Sequence, residues 1–391
     1  MKKKILNFVL MALTVTSIFG SLTGCKNGQA TSSNENSQEI KLNVATAGDT
    51  NMSELQQKDI GPNFIKEHKN VKINVVGTGP GDAGSNQILN KLKAQKNANS
   101  EKYDIDVAIV HQSAMESLMK EGLLLKYVDK TNIASNVVGE NAKNSLGTNI
   151  DGYAIPLFQS QVAIAYNPEK VKEVPKNFDD LEKWIKANPK RFGYNGVKNG
   201  MSGVGFTTSY IYAKTGKYEQ LSKGPYDKEI EKEWPGVIKQ LKSLPVVITN
   251  GNNGTLDMLN RGEIDMGPVW IDMFYSWQAD GRLNPKTKVT LLEPGLTGQP
   301  MYIVVSSKAA NKDMAIKYAE FLASPKVQAK QIVEKFNWYP GIDPSVVLKE
   351  CSPEAQEKLF KDITPENIKQ NSKVFPLPQY LKDITSAYEQ N

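Results

Sequence analysis

Histidine and cysteine are scarce in this chain, which has two of each among 391 residues. A structural zinc site takes about four Cys or His ligands, and beyond Cys25 only His68, His111 and Cys351 are available. No metal centre of that kind is expected. Catalytic signatures are equally sparse: neither G-x-S-x-G nor H-E-x-x-H occurs, and a Ser-His-Asp triad would have to use His68 or His111. His68 sits between lysines at the end of a helical pattern and reads as a solvated residue, whereas His111 closes a strand pattern and suits hydrogen bonding to a ligand. Charge of one sign is also lacking. Lys+Arg total 48 and Asp+Glu 42; without residues 1–24, which hold three lysines and no acid, the balance is 45 − 42 = +3. So mild and scattered an excess argues against nucleic acid as a partner. No apolar run reaches the roughly 20 residues of a membrane helix.

The start of the chain carries a compartment signal. Lys2, Lys3 and Lys4 precede an apolar run from Ile5 to Phe19, and Leu22-Thr23-Gly24-Cys25 follows. A basic start, an apolar stretch and small residues before a cut site make a secretory signal. The last four residues resemble the bacterial lipobox, in which the cysteine is acylated and becomes the new N-terminus. Residues 1–24 are therefore expected to be removed and Cys25 lipidated, tethering the protein to the outer face of the cell membrane. Residues 25–39, rich in Asn, Ser and Gln, bury too little to fold and read as a flexible spacer. A lipidated Cys25 leaves Cys351 without a disulfide partner. The remaining length exceeds one ordinary core, so two domains are expected.

From Ile40 onward strand and helix patterns alternate. Strands are expected at Lys41–Thr46, Val71–Val76 and Ile105–Val110, with helices at Met52–His68, Ser85–Lys96 and Met115–Met119. Strands separated by such helices predict a parallel sheet with right-handed crossovers. Two extended runs follow, at Tyr153–Phe158 and Val162–Tyr166. A second α/β set has strands expected at Gly203–Thr207, Pro245–Thr249 and Ile264–Val269, and helices at Asp179–Ala187, Asp227–Leu244 and Thr255–Arg261. Strands at Val289–Leu292 and Met301–Ser306 and helices at Asp313–Ala323 and Pro325–Phe336 complete the pattern. The last forty residues read as polar helices interrupted near Phe375.

The order of landmarks resembles the extracellular solute-binding proteins of ABC importers, a family with sugar, polyamine, thiamine and iron binders. Four stretches carry the resemblance: Asp151–Pro156 with Ala165–Pro168, Asn177–Leu181 with Trp184, Arg261–Met266 before Trp270, and Ala315–Pro325. Phe178 stands where the family usually has Trp. The resemblance implies an α/β fold of two lobes, each a wound, mostly parallel sheet with helices on both faces, joined by hinge strands. Lobe 1 would be residues 40–155 with 298–341, lobe 2 residues 162–292, and 342–391 a helical segment. The chain would cross near Gln159 and again near Pro294. It further implies a monomer without a cofactor or catalysis, which captures a small molecule and passes it to permease subunits.

Ligands in open parallel sheets bind beyond the C-terminal strand ends. That rule selects Gly48, Asp49, Thr78, Gly79, His111 and Gln112 in the first lobe, and Thr207, Thr208, Trp270 and Asp272 in the second. Gln159 lies at the crossing, and Trp338 joins Trp270 as an aromatic able to stack on a sugar or a cationic head. Gly79-Pro80-Gly81-Asp82-Ala83-Gly84 has the form of a dinucleotide fingerprint, but a complete strand and helix precede it, whereas the fingerprint follows the first strand of its unit. Two readings of the loop stand. Either its backbone donors, Gly81 included, hold an oxygen-rich or anionic part of the solute at a helix start, or it is a turn capped by Asp82 or Ser85. The solute is thus expected to be a carbohydrate or an anionic metabolite, with a polyamine, thiamine or iron as alternatives. A surface-anchored cell-wall hydrolase is the rival function and would need a clustered acid/base pair. An adhesive lipoprotein would lack a concave polar cleft.

Overall fold

In the computed structural model, residues 39–48, 50–79 and 81–390 are described; Cys25 and Asp49 lie outside them. The principal strands are β1 (Ile40–Thr46), β2 (Val71–Gly77), β3 (Val107–His111), β4 (Ala154–Tyr166), β5 (Met266–Trp270), β6 (Lys288–Thr290) and β7 (Leu296–Val305). β1 pairs in parallel with β2 and β3, in register from Ile40 against Val71 and from Val44 against Val107. Val107 to Val110 are all buried, as a central parallel strand requires, whereas edge strand β2 alternates buried and exposed positions.

β4 belongs to two sheets. Its first part, Ala154 to Gln161, pairs antiparallel with β7, which in turn pairs antiparallel with β3. From Val162 to Tyr166 the partners become β5 and β6, both antiparallel. Beyond β5, a bridge joins Phe192 in parallel to Met266, and Gly193–Tyr194 pairs in parallel with Val247–Ile248. Each half therefore has parallel outer strands and antiparallel strands where the chain crosses. β4 is buried on both faces along nearly all its length, which explains the apolar runs on either side of Gln159-Ser160-Gln161.

The main helices are α1 (Gly81–Asn97), α2 (Phe178–Ala187), α3 (Met201–Thr215), α4 (Trp234–Ser243), α5 (Gly251–Asn260), α6 (Ile271–Ala279), α7 (Lys312–Leu322) and α8 (Pro378–Gln390). α2 starts where its sequence says it should: Asn177 caps the Asp180 N–H at 2.9 Å, and Asp179 and Asp180 lie in the first turn. The strand expected at Gly203–Thr207 is instead the interior of α3. From Ser202 to Tyr212 every residue of α3 is buried, so no amphipathic period marks it as a helix. Its glycines admit close neighbours: a Cβ on Gly203 would sit 1.8 Å from the Gly196 carbonyl oxygen. Burial on all sides outweighs the poor helix propensity of Gly, Thr and Val.

One charged cluster ties α2, α3 and α4 together. Glu182 is buried and accepts from Tyr210 at 2.6 Å and Gln240 at 2.9 Å, and it pairs with Lys214. Lys214 also contacts Asp179 at 2.5 Å. Burial alone would raise the Glu182 carboxyl, but hydrogen bonds from Lys214, Tyr210 and Gln240 hold it down at about 2. The last residues are helical as expected but are not a peripheral polar tail. Ser372–Lys373 extends β7 at Leu296 and Thr297, Phe375 is fully buried, and Tyr380 and Ile384 of α8 pack against Trp234 and Ile211.

Candidate functional site

Alternation along β4 decides which side chains meet at the crossing. Phe158 and Ser160 face one side of the strand and Gln159 the other. On the Phe158 side lies a cavity of ≈ 400 Å³, bounded by the ends of β1, β3 and β5, the start of α6, and β7. Gly48, His111, Trp270, Asp272 and Trp338 all line it. Met52, Asp82, Phe158, Ser160, Met201, Met273, Gln299 and Met301 complete the wall.

Asp272 is the site's most unusual group. It lies in the first turn of α6 beside Ser160, whose hydroxyl donates to its Oδ1 at 2.5 Å. The Trp338 side chain and the backbone N–H groups of Asp272 and Met273 also donate to it. Burial nonetheless pushes its carboxyl up from the ordinary value, because four dipoles do not replace bulk water around a buried anion. Trp338 is held rigidly for this task. Its ring is stacked between Phe158 at 3.9 Å and Phe336 at 4.7 Å, each within 9° of parallel. With both faces covered, it presents only an edge to the cavity, so the stacking expected of it is not available.

Across the cavity, His111 and Asp82 form a second polar pair. His111 Nδ1 lies 2.5 Å from Asp82 Oδ1, and the Ser113 hydroxyl donates to the same oxygen at 2.6 Å. The hydrogen bond from His111 is the main cause that holds the Asp82 carboxyl down at about 2. Serine and aspartate thus gather at one ring nitrogen, while Nε2 faces Gln299 Oε1 at 3.3 Å. A nucleophile triad needs the serine on one nitrogen and the acid on the other.

The other expected residues stand elsewhere. The Thr78 hydroxyl donates to the Thr46 carbonyl at 3.2 Å, and the Gly79 carbonyl accepts from the Gly48 N–H at 2.8 Å, so both brace the loop after β1. Gly81 opens α1, and a Cβ on Gly84 would meet the Gly79 carbonyl oxygen at 2.1 Å. Gly84 serves close packing and Gly79 a positive φ of 95°, and the first turn of α1 carries its own carboxylate, Asp82. Gln112 is buried away from the cavity, its carbonyl accepting from Ser145. Thr207 and Thr208, expected in a loop at a strand end, are fully buried within α3, because the strand that would have led to them does not exist. Gln159 lies in a larger cavity of ≈ 670 Å³ on the opposite face of β4. There it is tied to Asn141 at 2.8 Å, Gln161 at 3.2 Å and Ser372 at 2.5 Å. We take the smaller cavity as the site, since it gathers strand ends and a buried acid. The period-two pattern of β4 was the signal for Phe158 and Ser160; nothing in the sequence marked Met52, Met201, Gln299 or Met301.

The sequence profile of the bacterial extracellular solute-binding proteins matches residues 61–363. The chain belongs to that family. No curated protein sequence matches it. Solved structures place the fold. One from Bordetella parapertussis, described as an extracellular solute-binding protein, has a TM-score of 0.69 at 15% identity, over 90% of this chain and 98% of its own. The spermidine/putrescine ABC transporter substrate-binding protein of Streptococcus pneumoniae has a TM-score of 0.64 at 15% identity, over 90% and 99%. An ABC transporter solute-binding protein of Thermotoga lettingae, bound with α-D-tagatose, has a TM-score of 0.65 at 16% identity, over 90% and 94%. The likeness establishes the two-lobe periplasmic-binding-protein fold, and β4 is the strand shared by the two lobes' sheets. No helix among the described residues is long and apolar enough to cross a membrane. As an extracellular solute-binding protein, the chain works outside the cell on a small molecule.

Proposed function

We propose that this solute-binding protein captures a small polar solute in the cavity at the β4 crossing and delivers it to the permease of an ABC importer. The observation that carries this reading is the position of the cavity where β4, with β7 paired beside it, passes from one sheet to the other. Rotation about those strands opens and closes the walls, since hinge residues absorb the change while each lobe stays packed. On this reading lobe 1 is residues 40–155 with 298–341, lobe 2 is residues 162–292, and residues 342–391 pack along them. The protein acts as a monomer without catalysis, and the Ser113, His111 and Asp82 geometry supports binding over hydrolysis. Mass spectrometry of the denatured protein, searching for a co-purified small molecule, tests it. Consistent recovery of no solute, with no ligand shifting Tm in a metabolite screen, would overturn it.

The N-terminal pattern supports acylation of Cys25 on removal of residues 1–24, which anchors the protein to the outer face of the cell membrane. Expressed with its signal in a bacterium, the wild-type chain is expected to partition into detergent, and Cys25→Ala to release it or stall its processing. Equal partitioning of the two forms would refute the anchor.

Trp270 ends β5 at the cavity wall, half-buried, with its backbone N–H donating to Asn252 Oδ1 at 2.8 Å. We expect Trp270→Ala to weaken solute binding at least tenfold, about 1.4 kcal/mol, with little change in Tm. Calorimetric titration with the co-purified solute decides this; unchanged affinity, or loss of the fold, would make Trp270 a core residue.

A further inference from the structure

The charge of the cavity wall is one-sided. Among the described residues two carboxylates line it and neither lysine nor arginine does. Asp82 is already matched by His111 at 2.5 Å. Asp272 is not: its partners are the Ser160 hydroxyl, the Trp338 side chain and two backbone N–H groups, all neutral. No cationic side chain among the described residues pairs with it within the cavity wall. Hydrogen bonds satisfy its lone pairs but supply no counter-charge when it ionises in a partly dehydrated pocket, an arrangement that a protein retains at a cost in stability.

The rest of the wall has the chemistry of a cation's surroundings. Phe158 and Trp270 bring aromatic rings, and the thioethers of Met52, Met201, Met273 and Met301 are soft and polarisable. A solute phosphate or carboxylate would instead meet Asp272 with no basic side chain to offset the repulsion. The alternative donor for an anion, the start of α1, has Asp82 in its first turn.

Building on the solute-binding reading, we propose that the solute is a small organic cation whose protonated or quaternary nitrogen binds Asp272 and packs against Trp270. This departs from the carbohydrate or anionic solute expected from the sequence and takes up the cationic alternative. The fixed orientation of Asp272, through Ser160 and the sandwiched Trp338, aims the carboxylate before the solute arrives, which lowers the ordering cost of binding.

The test compares wild type with Asp272→Asn, which keeps the shape and one acceptor oxygen but removes the charge. Thermal shift and calorimetry would use choline and putrescine as cations, glucose as the neutral probe and citrate as the anion. Wild type should be stabilised by at least one cation and by neither glucose nor citrate, and Asp272→Asn should bind that cation about a hundredfold more weakly. The stability of the unliganded variant relative to unliganded wild type should rise with pH. The sign follows from linkage: a carboxyl raised by burial costs stability once pH exceeds its unfolded value of about 3.9, and the deficit grows until the folded group has ionised. The gain from Asp272→Asn should therefore increase with pH through that range, which also shows that the variant is folded. Binding of glucose or citrate with the same affinity in both proteins would overturn the cation inference and leave the solute-binding reading standing. Cation affinity indifferent to Asp272→Asn would also overturn it. A protein that binds no small molecule of any charge would remove the underlying reading instead.

Discussion

Trp338→Ala is expected to lower unfolding free energy by about 3–5 kcal/mol, the usual range for emptying a buried aromatic site. The indole fills the gap between Phe158 of β4 and Phe336, stacked on both, so its loss opens a slot that neither neighbour can close without leaving its own ring plane. The same substitution removes a donor from Asp272. Stability and solute binding should therefore fall together. Trp338→Phe separates the two effects, since a phenyl ring restores much of the stacking but cannot donate. Denaturant titration of both variants is the measurement. A loss under about 1 kcal/mol for Trp338→Ala would mean that the stack is incidental to the fold.

Lys214→Met should be nearly as damaging, at about 3 kcal/mol, although it lies far from any solute. It leaves Glu182 buried with Tyr210, Gln240 and only the exposed, more distant Lys186 at 3.5 Å as partners, and a buried charge that has lost its close counter-ion is costlier than the intact pair is favourable. The pH dependence identifies the cause. A depressed carboxyl contributes stability that is present above its unfolded value of about 4.3 and is lost as pH falls toward the folded value of about 2. The gap between wild type and Lys214→Met should accordingly narrow as pH falls through that window. A gap independent of pH would attribute the loss to packing of the lysine stem and not to its charge.

The strand expectations succeeded where one physical signal dominated. β1 and β3 are apolar runs bounded by polar turns, and β5 and β7 follow the same rule, so their existence and order were readable from hydrophobic patterning. α2 carried its own start signal in Asn177, Asp179 and Asp180. α3 was misread because its code is burial on every side. A helix without a polar face has no period to detect, and its glycines, placed for close approach to Gly196 and its neighbours, look like turn residues in a linear reading. Thr207 and Thr208 were lost to the site with it.

Local sequence by itself determined the secretory pattern at the start, the α/β order, the family resemblance, and five cavity residues: Gly48, His111, Trp270, Asp272 and Trp338. These follow from rules that act within an element or at its end. The tertiary structure decided what those rules cannot reach. It put Gln159 on the far face of β4 and Ser160 on the near one, covered both faces of Trp338, and brought Met52, Met201 and Met301 from distant segments to one wall. Above all it left Asp272 without a counter-charge among the described residues, a property of three-dimensional neighbourhood, because the strength of an electrostatic interaction depends on distance and burial and not on position along the chain.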